Sequence, residues 1–125
     1  MKTIYIYHHL GFGDHIICNG LVRHYAALYD KVYVFCKPHN VKNVSYMYRD
    51  NENIELFSAN DNETISFMDR NKQNNYLIIG HEKLWEKLID DLTFDFIFYD
   101  MAGISIENKI YPIYSQLIFL LYHKI

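Results

Sequence analysis

The chain is poor in cysteine, in net charge and in long apolar runs. Its only cysteines are Cys18 and Cys36. They have no metal-like spacing, so the expectation is two buried, reduced thiols. Net charge is −3 with histidine neutral. That argues against a general nucleic-acid binder, which would carry a basic patch for phosphates. No apolar run approaches the ~20 residues of a membrane span. Lys2 is followed by a short apolar run that ends at His8-His9 without a small-residue cleavage site, so no secretory signal is read there. Internal repeats, low-complexity tracts and linkers are also absent. These absences leave a soluble, cytoplasmic protein as the expectation.

What is present suits one compact domain. Of 125 residues, 50% are hydrophobic and 17% aromatic, enough to build a core. Strand-like and helix-like segments alternate. Thr3 to His8 reads as a strand, rich in β-branched and aromatic residues. A helix is predicted from Asp14 to Tyr29. Lys31 to Cys36 is nearly all apolar, as in a parallel strand buried on both faces. Lys37 to Asn40 reads as a loop, because Pro38 disfavours helix at Lys37. Val41 to Arg49 reads as a short helix and Ile54 to Phe57 as a third strand. Asn60 to Glu63 offers caps for a helix from Thr64 to Asn71, and Tyr76 to Gly80 reads as a fourth strand. The fold class is therefore α/β: a Rossmann-like parallel sheet flanked by helices, with Ile4 to Tyr7 central and Val32 to Phe35 beside it.

Two further helices are predicted, from Glu82 to Asp91 and from Phe94 to Ala102, with Gly103 placed just past the second. Residues 1–110 read as one Rossmann-like domain. Residues 111–125 read as an apolar tail, the start of a missing connection.

The segment richest in chemical meaning is Gly11-Phe12-Gly13-Asp14, between the first strand and the first helix. Glycines permit a sharp turn and close approach to a ligand. Asp14 falls at the helix start, where it can cap free N–H groups or serve as a general base; the residues alone leave both roles open. The turn is expected at the carboxyl edge of the sheet, in its largest concavity.

The pattern is not a dinucleotide fingerprint. The third glycine is replaced by Ile16, Cys36-Lys37 stand where a ribose-binding acid belongs, and Asp14 would repel a pyrophosphate. A receiver domain is excluded too, since Phe57-Ser58-Ala59 supplies no carboxylate after the third strand. His8, His9 and His15 surround the turn, without metal-ligand spacing. They read as polar loop residues that could touch a phosphate or hydroxyl. His24 and His39 are assigned no role. Asn19-Gly20 interrupts the first helix pattern, and Arg23, one turn on, could bind an anion.

The stretch from Leu10 to Arg23 resembles the opening of GT-B glycosyltransferases, nearest to the heptosyltransferase-like group. Phe94 to Ile104 resembles a segment of short glycosyltransferase-like proteins. The resemblance implies the amino-terminal, acceptor-side half of a two-domain fold. It implies that a sugar passes from a nucleotide-sugar donor to an acceptor hydroxyl, without a metal or a separate cofactor. It assigns Asp14 as base and Gly11 and Gly13 as shapers of the loop. Phe12, His9, His15 and Arg23 complete the expected substrate-binding set.

The donor-binding domain of such enzymes has no counterpart here. The expectation is an incomplete chain, inactive alone and dependent on a second domain or partner chain. The alternative is a non-catalytic α/β binding or interaction domain, a remnant or a subunit.

Overall fold

A computed structural model describes residues 2–8, 11–79 and 102–104. Its strands are β1 (Thr3–Tyr7), β2 (Lys31–Cys36), β3 (Ile54–Ser58) and β4 (Tyr76–Ile78). They form a four-stranded sheet in the order β3-β2-β1-β4, and every pairing is parallel. Ile4 pairs with Val32, and Ile6 lies between Val34 and Leu77. The central position of β1 follows the sequence expectation.

Side-chain alternation divides the sheet into two differently covered faces. Ile4, Ile6, Val32, Val34, Cys36 and Ile54 share one core with Leu21, Val22, Ala26 and Val44. Those partners come from α2 (Asn19–Leu28) and α3 (Val41–Met47). On the other face, Tyr7 and Phe35 are buried with Ala59, and Tyr5, Phe57, Phe67, Met68 and Tyr76 pack against them. Phe67 and Met68 belong to α4 (Asp61–Arg70). Ile6, Val32 and Val34 are fully buried, each contributing about 1.5–3 kcal/mol of apolar burial.

Three departures from the expected helix boundaries have a physical reason, while α2, α3 and α4 end one or two residues early. The helix expected from Asp14 begins at Phe12 and is broken at Cys18. It forms α1 (Phe12–Ile17) and then α2. The break precedes Gly20, which is buried inside α2. Pro38–Asn40 is a 3-10 turn rather than an irregular loop, and Lys37 before it is extended, as a residue preceding proline should be. The residues expected to precede α4 form its first turn instead. Asn60 is the N-cap and Glu63 completes a capping box. The Glu63 N–H donates to Asn60 Oδ1 at 3.0 Å, and the Asn60 N–H donates to Glu63 Oε1 at 3.3 Å.

Gly103 has φ 71, the left-handed conformation expected just past a helix end. The Tyr25 hydroxyl donates to the Ala102 carbonyl at 3.3 Å, and Ile104 joins the core. The helices expected over 82–91 and over 94–101 lie outside the described residues. So do Gly80 and the tail 111–125. Among the described residues no helix is long and apolar enough to cross a membrane.

Candidate functional site

Parallel strands send all their following loops to one edge of the sheet. From β1 the chain steps outward through β2 to β3, then returns to β4 on the other side of β1. Strand order therefore reverses between β1 and β4, the place where open α/β sheets form a ligand crevice. The segment leaving β1 there is the one that leads into Gly11-Phe12-Gly13-Asp14.

Gly11 is the N-cap of α1, with φ −72 and ψ 153. That is ordinary extended backbone, so the turn does not depend on left-handed φ. A Cβ at Gly11 would lie 3.0 Å from Asp14 Oδ2, a close approach that a small shift of that carboxylate would relieve. At Gly13 a Cβ would meet nothing within 4 Å. Gly11, Phe12 and Gly13 are exposed and Asp14 is half-buried. Asp14 is thus the third residue of α1 and not its N-cap. Its carboxylate folds back beside Gly11, in the first turn where the helix dipole favours negative charge.

His15 lies where a solvent-facing loop residue is expected, and the fold buries it completely. Its ring meets that of buried His8 edge to face, with centroids 4.4 Å apart. Among the described residues neither ring nitrogen of His15 has a hydrogen-bond partner. Burial lowers its pKa to about 4, so the ring is neutral near pH 7. The sequence contains the signal for this: His15 lies on the helical stripe of Cys18 and Val22, and His8 extends the alternation of Ile4 and Ile6. His15 is a wall of the core behind the turn and offers no surface to a ligand.

Arg23 stands apart from the turn in its bonding. Its guanidinium clasps Asp50 with two bonds of 2.8 Å. Nε donates to Asn19 Oδ1 at 2.6 Å, and one terminal nitrogen donates to the Met47 carbonyl at 3.0 Å. These bonds tie α2 to the end of α3, and they engage the fork that the sequence reading gave to an anion. His9 lies outside the described residues. Burial raises the thiol pKa of both cysteines, for Cys36 to about 11. Asp14 adds a smaller upward push at Cys18. Both thiols are reduced and buried.

One cluster at the same edge escapes the sequence reading. The Tyr7 hydroxyl, at the end of β1, donates to Asp61 Oδ1 at 2.7 Å. Lys37, just after β2, brings Nζ to 3.8 Å from Asp61 Oδ2. Burial first, and then Asp61, holds the Tyr7 phenol above its ordinary pKa. Such a contact, spanning 54 positions, leaves no local pattern in the chain.

Two depressions lined by described residues lie away from the glycine turn. Among the described residues no group of three or more His, Cys, Asp and Glu side chains could hold a metal ion. No protein-family model, curated protein or solved structure matches this chain.

Proposed function

We propose that this chain is the acceptor-side half of a GT-B-type glycosyltransferase, with Asp14 as general base. One observation carries the reading: a Gly-x-Gly-Asp turn follows the central strand, beside the reversal of strand order. Exposed Gly11 and Gly13 leave room over the turn, and Asp14 keeps part of its surface in solvent. In this reading an acceptor sugar lies across Gly11 to Gly13. Asp14 takes the proton from its hydroxyl, whose oxygen bonds to the anomeric carbon of the donor. The bond from that carbon to the nucleoside diphosphate breaks, and the diphosphate leaves with its electron pair. A second domain or a partner chain holds the donor and excludes water.

The test fuses a GT-B donor-binding domain to this chain and measures transfer. Asp14→Asn should lower kcat by about 10²–10⁴-fold, the usual worth of a general base, with little change in thermal stability. Full activity in that variant would make Asp14 structural.

The commitments of His15 and Arg23 favour a second reading, a non-catalytic α/β binding domain, because neither offers a free polar group to a substrate. A fusion that binds sugar at the turn but never transfers it would support that reading.

A further inference from the structure

On the α4 face, at the amino edge of the sheet, lies an open depression of about 550 Å3. It is at the opposite end of the strands from the glycine turn. Its floor is Tyr5 and Tyr33, paired across β1 and β2. Their rings are stacked with centroids 4.8 Å apart. Both are half-buried, and among the described residues their hydroxyls make no hydrogen bond. Burial and the neighbouring phenols of Tyr33 and Tyr76 hold the Tyr5 hydroxyl above its ordinary pKa, so it remains a donor.

The rim is built from the carboxamides of Gln73, Asn74 and Asn75. Asn75 Nδ2 donates to the Thr3 carbonyl at 3.2 Å, and Asn74 Nδ2 donates to the Tyr76 hydroxyl at 3.4 Å. These bonds orient two amide planes and use one donor of each, leaving a carbonyl oxygen on each. Gln73 is exposed and makes no bond among the described residues.

Charge and polarity select the ligand. Among the described residues no carboxylate lines the depression, and the one ammonium there, Lys2, sits 4.4 Å from the centroid of the Tyr29 ring. An anion would find a single, already engaged cation. An apolar ligand would desolvate amides and phenols without replacing their hydrogen bonds. A neutral polyol matches the lining, because hydroxyls both donate and accept, as carboxamides and phenols do. The apolar C–H face of a sugar ring can rest on the tyrosines while its hydroxyls meet the amides. A volume of about 550 Å3 falls in the range of small-molecule sites, about 300–1,000 Å3.

We propose that this depression is a binding site for a neutral mono- or disaccharide. It is separate from the glycine turn and does not depend on the glycosyltransferase reading.

The experiment is a titration of the full chain with glucose, N-acetylglucosamine and cellobiose, followed by the backbone amide signals. At least one of the three should bind at about millimolar affinity, shifting the amides of Thr3, Tyr33, Asn74 and Asn75. Tyr33→Phe removes only a hydroxyl, and Gln73→Ala changes only an exposed side chain. Each should weaken binding by about 5-fold, the worth of one neutral hydrogen bond, with thermal stability unchanged. Absence of shifts at these amides with all three sugars overturns the proposal. Shifts that both variants leave intact overturn it as well. Shifts confined to Gly11, Gly13 and Asp14 would support the glycine turn as a sugar site and overturn this one.

Discussion

Burial lowers the pKa of His15 from 6.5 to about 4, so charging the ring opposes folding. The unfolded chain binds this proton below about pH 6.5, whereas the folded chain refuses it until about pH 4. Stability should therefore fall as pH drops through that window, by an amount on the order of 3 kcal/mol when complete. Urea titrations at stepped pH would read this. His15→Leu, which fills the site without a titratable group, should remove most of the slope; an unchanged slope would assign it to other groups. Gly13 poses a different residue-scale test. Open space around its missing Cβ means that Gly13→Ala should stabilise the helix by about 0.4–1 kcal/mol. If a ligand lies across the turn, the same methyl should weaken its binding. A variant that loses stability would show that the turn relies on glycine for another reason.

At the scale of elements, Arg23 joins α2 to the segment after α3. Its bonds to Asn19 and Met47 do not involve Asp50, whose side chain is half exposed. Asp50→Ala should therefore cost about 1 kcal/mol or less. Arg23→Ala should cost about 2 kcal/mol, since it loses the neutral bonds as well. Chemical denaturation of both single variants and the double variant checks the order; equal losses would mean that the ion pair carries the whole effect. Elements differ in how legible they were. β1 and β2 could be read directly, because β-branched and aromatic side chains at alternate positions face two cores. α4 starts three residues before the expected Thr64 because Asp61 and Glu63 look like loop residues in the sequence, while Glu63 closes the cap on Asn60. The terminal nitrogens of Arg23 read as available in the sequence because their acceptors lie 24 and 27 positions away. The chemistry of His15 suggests a loop residue, but its place on the helical stripe buries it.

For the whole molecule, the sheet lies between helices on both faces, and β1 and β2 hold fully buried residues such as Ile6, Val32 and Val34. Amide exchange should be slowest at Ile6, Val32 and Val34, opening only with global unfolding. Faster exchange there than in α4 would contradict a single cooperative core. The alternation of segments implies the parallel sheet, but not the return of β4 beside β1, since nothing local records which edge a crossover reaches. That return gives the end of β1 a mechanical consequence. Tyr7 reaches Asp61 at the start of α4, while His8 meets His15 in α1 on the opposite face. The two residues act like a rivet through the sheet, pinning both helices to a single stretch of strand. Either helix, swinging outward, would then pull through that pin on the other.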